Sequence, residues 1–347
     1  MEAEIKILGR STIDDVASLA EVSIKTVSRV VNGEPNVRQS TKDRVELAIK
    51  ELNYQPSQSA RSLAGSRSYL IGLIYDSPTV NLVIDLQIGA VGNLKASGYG
   101  VLAHPCNAKS GDLIDEILAF IREYRIDGMI LPPPLCDIDS LTKLLVKQNI
   151  PYVAISPMKN KKNIPAVYFN DRTAVKKLTK HLIELGHQDI AFISGDLRHL
   201  ASHEREAGFR ESILENNIRV SKNFIVQGDY TFDAGKAAVK KLLDLKKIPT
   251  AIVCSNDEMA YGAMHGAYEM GVSLPMDLTI TGFDDSPVSK YVWPPLTTVR
   301  QPVQEAARIA SQLLIELIKS KGLTIMEKTL ECELVIRDSS VPPKLNS

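Results

Sequence analysis

Lys25, Thr26, Ser28 and Arg29 crowd hydrogen-bond donors into one short stretch of the chain. A planar guanidinium can meet two acceptors on one base edge, and an ammonium or hydroxyl can meet a base or a phosphate oxygen. Such donors can read a duplex only if one helix face presents them together. The flanking sequence supplies that helix and a partner for it. Thr12 and Asp15 stand at capping-box spacing, so a helix starts at Ile13. Ile13, Val16, Ala17 and Ala20 recur at helical intervals along it. Ser23 is an N-cap for a second helix, which runs to an Asn32-Gly33 stop and carries its own stripe of Val27, Val30 and Val31. The two stripes can bury each other, leaving Ile24, Lys25, Thr26, Ser28 and Arg29 on or near the outer face. A helix, a tight turn and a second helix is the arrangement that places a short helix in the major groove. A helical hairpin buried in a larger core has the same pattern.

The next segments of the chain favour the groove over the buried hairpin. A third helix is expected over Ser40 to Leu52, opened by Ser40 and Asp43 at capping-box spacing, with Val45, Ala48, Ile49 and Leu52 as its apolar stripe. Asn53-Tyr54-Gln55-Pro56 ends it, because the residue before a proline disfavours the helical region. Ser57 to Gly65 is then a polar stretch too short to be a stable helix alone, with Leu63 its only large apolar side chain. Residues 12–65 resemble the headpiece and hinge of the lactose-repressor family of bacterial transcription regulators. The resemblance rests on T-V-S-R-V-V-N at Thr26 to Asn32, L-N-Y-x-P at Leu52 to Pro56 and L-A-G at Leu63 to Gly65. Glu21 departs from it, standing where relatives usually have glycine at the turn.

The resemblance implies roles residue by residue. Ile24, Lys25 and Arg29 match base-reading positions: Arg29 for a bidentate guanine contact, Lys25 for base or phosphate, Ile24 for a thymine methyl. Thr12, Ser23, Ser28, Asn32, Asn36, Thr41 and Tyr54 match positions at or beside phosphates, which fix register rather than sequence. Thr26 lies within the same recognition helix. Leu63 matches a wedge that hinge helices push between base pairs from the minor groove, and Ala60 a small residue that allows close approach. For Leu63, packing on the next domain as a linker residue is the alternative.

With 347 residues, 44% hydrophobic and 24% charged, the chain can build two or three domains with real cores. Its formal net charge is zero, so overall basicity gives no argument for nucleic acid. Between Ser23 and Arg44, Lys25, Arg29, Arg38, Lys42 and Arg44 outweigh Glu34 and Asp43, a modest local excess that predicts salt-sensitive DNA affinity. Cys106, Cys136, Cys254 and Cys332 lack C-x-x-C spacing, which suggests core thiols in a reducing compartment and no zinc or redox pair. No run approaches a membrane span and Met1 to Arg10 is not a signal peptide, so a cytoplasmic protein is expected.

From Tyr69 onward, short apolar runs alternate with amphipathic helical stretches. Expected strands are Leu70 to Tyr75, Gly100 to His104, Gly128 to Leu131, Tyr152 to Ile155, Ala166 to Phe169, Ile190 to Ser194, Ala251 to Cys254 and Leu278 to Phe283. Helices are expected over Leu113 to Tyr124, Ala174 to Leu185, Ala234 to Leu243, Glu258 to Met270 and Val303 to Lys319, with a last strand from Thr329 to Ile336. Such alternation implies parallel sheets covered on both faces, and two units of similar length suggest two lobes. The expected architecture is an all-α helix-turn-helix headpiece (11–56), a hinge helix or linker (57–66) and an effector-binding and dimerisation domain (67–345). The resemblance makes the last a two-lobed α/β periplasmic-binding-protein-like domain with two parallel sheets. Its N-lobe would be about 67–170 plus 297–325, and its C-lobe about 171–296 plus 326–345.

Ligands of open parallel sheets sit at the carboxyl ends of the strands, so the polar residues there are the candidates. By the resemblance, Asp284 accepts hydrogen bonds from effector hydroxyls, Asn256 is a second polar contact, and Arg205 reaches into the cleft. A carboxylate and a guanidinium fork can bracket adjacent hydroxyls of a pyranose. Tyr230 offers a flat face for a sugar ring; Asp76 and Asn81, placed in the loop after the first strand, can face the cleft. Asp257 and Asp285 read instead as cap or turn residues and Trp293 as a packing residue. Ser156 stands where relatives often carry a carboxylate, and Pro132-Pro133-Pro134 replaces polar residues.

These residues point to a regulator, most simply a repressor, that binds a pseudo-palindromic double-stranded DNA operator as a homodimer and responds to a small-molecule effector, a saccharide by this chemistry. No cofactor is implied. A transport-type sugar-binding protein of the same two-lobed fold would carry an export signal and no headpiece. An enzyme is disfavoured: the chain has no G-x-x-x-x-G-K-[ST], H-E-x-x-H or G-x-S-x-G. The tail from Val341 has no leucine heptad for a tetramerising bundle, which favours a dimer.

Overall fold

The computed structural model describes residues 11–31, 37–54, 67–76, 79–158, 164–319 and 327–344. The chain divides into two compact units, Met1–Tyr69 and Leu70–Ser347. In the first, α1 (Ile13–Leu19), α2 (Ile24–Val31) and α3 (Gln39–Glu51) enclose a small core. Val16, Val27 and Val45 are fully buried there, with Ala17, Ala20 and Ala48 around them. The capping box at α1 is complete: Asp15 N donates to Thr12 Oγ1 and Thr12 N donates to Asp15 Oδ2 at 2.7 Å. Glu21 has φ 50°, the left-handed conformation expected of a glycine position, at a cost of about 1 kcal/mol. The expected cap of α3 is corrected. Its N-cap is Arg38 with no side-chain bond, Ser40 lies inside the helix, and Asp43 accepts from Gln39 Nε2 instead.

In the second unit, β1 (Leu70–Tyr75), β2 (Gly100–Pro105), β3 (Gly128–Leu131), β4 (Tyr152–Ile155), β5 (Ala166–Phe169) and β11 (Glu327–Leu330) form one sheet in the order β11-β5-β4-β3-β1-β2. All of its pairings are parallel. Both faces are covered, as period-two burial requires. Met129 and Leu131 face a core shared with α5 (Leu113–Tyr124) and α6 (Asp139–Lys147). Gly128, one residue out of phase, faces Leu314 on α11 (Val303–Lys319). That helix lies against α4 (Val80–Ala96) closely enough that a Cβ on Gly89 would stand 2.0 Å from the Gln304 carbonyl oxygen.

The second sheet has the order β7-β6-β8-β9, from β6 (Ile190–Ser194), β7 (Ile225–Gln227), β8 (Ala251–Cys254) and β9 (Thr279–Thr281), again all parallel. Ile193, Ile252 and Cys254 pack with α9 (Phe232–Leu243) and α10 (Asp257–Glu269). Phe192 and Val253 pack on the other face with α7 (Asp171–Glu184) and α8 (Leu200–Glu215). The chain passes between lobes after β5, after β10 (Thr298–Arg300), which pairs antiparallel with β12 (Glu333–Val335), and after β11. Strand order reverses at β1 in one sheet and at β6 in the other, so two topological switch points exist at the carboxyl ends of parallel strands.

Most expected strands appear where they were placed. The single strand expected over Thr329 to Ile336 is two: β11 extends the N-lobe sheet beside β5, and β12 pairs with β10 near the C-lobe. Segments 297–325 and 326–345 therefore do not divide cleanly between the lobes as expected. Polar Glu331 and exposed Glu327 gave no periodicity to mark the break. The strand expected over Leu278 to Phe283 is shorter, Thr279–Thr281. Asn81 is corrected from a loop to the first turn of α4.

Candidate functional site

Two sets of side chains are assembled, one in each unit. In the headpiece, Ser23 opens α2 through its hydroxyl, which accepts from Thr26 N at 3.2 Å and lies 2.9 Å from Thr26 Oγ1. With Val27 buried at the helix centre, Ile24, Lys25 and Arg29 are left exposed, Ile24 at 48%. A large apolar side chain held out in water on a donor-bearing helix is what contact with a thymine methyl would require. Ser28 and Thr41 are half-buried, and Thr12 is committed to the α1 cap. Tyr54 is buried in the headpiece core at 7% exposure. Asn32, Asn36, Ala60 and Leu63 lie outside the described residues.

The second set lines a cleft at the carboxyl ends of both sheets. Arg205, on α8, is its buried centre at 4% exposure. Nε donates to Asp171 Oδ1 at 2.7 Å, Nη1 donates to the Ser255 carbonyl at 2.5 Å, and the guanidinium lies 3.6 Å from the centroid of the Phe283 ring. The arginine expected in the cleft is thus an ion pair first, with its remaining N–H groups left for a ligand. Truncating one partner of such a pair leaves a buried charge uncompensated. Asp171→Ala is therefore expected to lose about 3–5 kcal/mol in a urea melt of the full chain; an unchanged melt would show that Arg205 finds another partner.

Asp284 faces Arg205 across 4.0 Å, beyond hydrogen-bonding reach. Its backbone has φ 123°, and its N–H donates to the Val299 carbonyl at 2.8 Å. No hydrogen bond to its carboxylate exists among the described residues, although the side chain is 26% exposed. Burial pushes this carboxyl up to about 7 against the pull of Arg205, with Asp171, Glu258 and Asp85 adding to the rise. Asp284 is an acceptor with room for a donor.

Tyr230 closes one end. Its hydroxyl is 2.7 Å from Ser202 Oγ and its ring meets His199 edge-on at 5.3 Å. A Cβ on Gly195 would fall 2.1 Å from the Tyr230 ring, so only glycine lets the ring lie over the end of β6. Burial pushes the Tyr230 phenol up to about 12 and the His199 imidazole down to about 4, so both are neutral at pH 7. Asn256 lines the cleft, but its side chain is already used: Oδ1 accepts from Met259 N at 3.0 Å and Nδ2 donates to the Tyr230 carbonyl at 3.0 Å. It is the N-cap of α10, a role the sequence suggested for Asp257. Asp257 is buried and accepts from Thr298 Oγ1 at 2.6 Å and Ser286 N at 2.8 Å. Asp285 is an ion-paired clasp, accepting from Arg300 Nε at 2.8 Å and from Arg337.

Two candidates are not brought to the cleft. Asp76 accepts from Ala108 N at 2.9 Å, and neither it nor Asn81 lines the space; Thr79 and Leu82 do. His199, Phe169, Gln301 and Ser156 line it without having been selected from sequence. His199 was findable, because it follows β6 at a switch point. Ser156 had been noted only as a lost carboxylate. Its Oγ is buried with no hydrogen-bond partner among the described residues. Trp293, expected to pack, is 86% exposed. Among the described residues, no group of three or more His, Cys, Asp or Glu is placed to hold a metal, and no helix is long and apolar enough to cross a membrane.

Comparison with known proteins bears on both sets. The family model for bacterial regulatory proteins of the lacI family matches residues 12–57, and that for a periplasmic binding protein-like domain matches residues 179–340. The chain is 34% identical over 335 residues to the probable HTH-type transcriptional repressor ExuR of Bacillus subtilis, covering 94% of this chain and 98% of the relative. It is 35% identical over 304 residues to the catabolite control protein A of Priestia megaterium, covering 87% and 91%. Among solved structures, the lac repressor dimer bound to operator and the anti-inducer ONPF aligns with TM-score 0.76 at 28% identity, covering 96% of this chain and all of that one. The transcriptional regulator CelR–cellobiose complex aligns with TM-score 0.74 at 28% identity, covering 95% and 100%.

Proposed function

Because the chain belongs to the lacI family of bacterial regulatory proteins, and is thereby a DNA-binding transcriptional regulator, we propose that it represses through a two-fold operator and that a saccharide in the lobe cleft sets its operator affinity. One observation carries the second half: the Asp284 carboxylate, with no hydrogen bond of its own among the described residues, stands opposite the Arg205 guanidinium where both sheets end. Adjacent sugar hydroxyls can donate to the first and accept from the second. Support for a sugar also comes from the cellobiose complex among the structural neighbours and from a lacI-family regulator of Enterococcus faecium solved with bound ribose. Nothing in this chemistry calls for turnover, and the protein is read as a binder and not an enzyme.

The recognition surface is Ile24, Lys25, Thr26 and Arg29, with Thr12, Ser23, Ser28, Asn32, Asn36, Thr41 and Tyr54 at the backbone and Ala60 and Leu63 in the hinge. A dimer presents two such helices to half-sites one helical turn apart. Exposed apolar side chains in two regions suit a partner copy: Ile84, Ile88 and Val91 on α4, and Tyr268, Tyr291 and Trp293 on the C-lobe. A ligand that favours a lobe arrangement in which the hinges cannot pair lowers operator affinity by the coupling energy. Fluorescence anisotropy on a duplex selected from a random pool tests this, with and without a panel of saccharides. Release by at least one of them is expected, and selection of no duplex at all would refute the regulatory reading.

Protonation of Asp284 predicts a pH dependence. Ligand hydroxyls donate to the ionised form, so affinity should be full above pH 7 and fall as pH drops through it, by about tenfold between pH 8 and pH 6. Without ligand the sign is opposite. A carboxyl raised from its ordinary value holds its proton more tightly when folded, so its contribution to stability declines as pH rises from about 4 to about 7. Titration calorimetry at the two pH values checks the first statement; equal affinities would place the hydroxyl acceptor elsewhere.

A further inference from the structure

Asp284 and Asp285 are consecutive residues with different tasks. Both have left-handed backbones, φ 123° and 53°. Asp284 lines the cleft, whereas Asp285 does not and is bonded instead to the segments that join the lobes. The Asp285 side chain is 4% exposed. Its Oδ2 accepts from Arg300 Nε at 2.8 Å, and its Oδ1 accepts from Arg337 and from Ser289 Oγ at 3.2 Å. Arg300 ends β10, the strand that leads to α11 in the N-lobe. Its Nη1 donates at 2.8 Å to Glu333 on β12, the strand that returns after β11. Arg337 lies just past β12 and is fixed in turn, with Nη1 donating to the Leu296 carbonyl at 2.7 Å. Asp285 therefore grips two of the three lobe crossings. The third meets the same loop from the other side, because Arg205 faces Asp284 and pairs at 2.7 Å with Asp171, which follows β5.

Burial raises the Asp285 carboxyl, but the hydrogen bonds from Arg337 and Arg300 outweigh it and hold the group below the usual carboxylate range. A buried carboxylate held by guanidinium groups from two segments is a stiff joint. Shifting one segment alone would leave a buried charge unpaired, a far larger penalty than breaking a surface ion pair. Backbone bonds add to the joint, with Asp284 N donating to the Val299 carbonyl at 2.8 Å. The loop bearing Asp284, β10 and the end of β12 are thereby tied into one body.

We propose that Asp285 is the positioning residue that couples the cleft to the lobe crossings: with Arg300 and Arg337 it locks the Asp284 loop to β10 and β12, so that ligand held at Asp284 biases the arrangement of the lobes. This role rests on the reading of cleft occupancy as the control of operator affinity, and it names the residue through which that control passes. Asp285 acts through its neighbours and touches neither ligand nor DNA.

Two quantities measured on the full chain test it. One is saccharide affinity by titration calorimetry, using whichever of glucose, galactose, ribose and cellobiose binds the parent most tightly. The other is the ratio of operator dissociation constants with that saccharide at saturation and without it. Asp285→Asn and Arg300→Gln should each keep saccharide affinity, and operator affinity without saccharide, within about threefold of the parent. Their ratio should fall from about tenfold or more to about twofold or less. Retained binding of both ligands shows that a variant is folded. Should Asp285→Asn fail to fold, Arg300→Gln decides, since that side chain is half-exposed. A parent-like ratio in the folded variants would overturn the coupling role and leave the saccharide cleft standing. A ratio lost together with saccharide affinity would overturn it too, by showing that Asp285 only supports the binding site. A parent that binds no saccharide, or binds one without any change in operator affinity, would overturn the regulatory reading and the coupling role together.

Discussion

Replacing Arg29 with alanine should abolish discrimination between the operator and random duplex while sparing effector binding. Arg29 is exposed on α2, the helix whose buried side is fixed by Val27. One bidentate arginine–guanine contact is worth about 1–3 kcal/mol of discrimination, and a dimer loses it in both half-sites, so roughly 2–6 kcal/mol is at stake. Non-specific affinity should change far less, and the salt slope should stay nearly the same, because a base-edge contact neutralises no phosphate. Competition anisotropy at two salt concentrations measures the discrimination and the salt slope. Retained discrimination in the variant would remove α2 from the groove.

Asp284 carries the second large effect. Hydrogen bonds to a charged acceptor contribute about 1.5–3 kcal/mol each, so a carboxylate taking two sugar hydroxyls is worth roughly a hundredfold or more in affinity. Asp284→Ala should bind operator and fail to release it when ligand is added. Asp284→Asn keeps the shape and removes the charge. At pH 8 it should melt higher than the parent, because the carboxylate it replaces is ionised there against the resistance of its surroundings. That combination, greater stability with a lost response, cannot arise from unfolding. Normal release by either variant would move the site away from the Asp284–Arg205 pair.

The legible parts of the sequence were those governed by local chemistry. Strands buried on both faces, such as Gly128–Leu131 and Ala251–Cys254, read as unbroken apolar runs, and their boundaries followed directly. The α1 capping box was visible because its two partners are three residues apart. The α3 start failed on the same rule: Ser40 and Asp43 have the spacing, but the helix begins ahead of Ser40, and Asp43 is taken by Gln39. Contacts between distant segments had no local signature. Nothing near Arg205 announced that Asp171 and the Ser255 carbonyl would occupy its donors, and nothing near Asn256 announced that the Tyr230 carbonyl would take its amide. Asp76 looked free because its partner, Ala108 N, lies beyond an intervening helix. The proline run was legible in the sequence, but its place in the cleft beside Ile155 and Leu82 was not.

On the proposed reading, a docked headpiece and an occupied cleft oppose each other. The most direct measurement of that trade is the dissociation constant of the full chain for a duplex it has itself selected, taken with and without the tightest-binding saccharide at pH 8. A loss of affinity on adding ligand, by about tenfold or more and absent in Asp284→Ala, is the predicted result. Identical dissociation constants with the cleft filled and empty would contradict it.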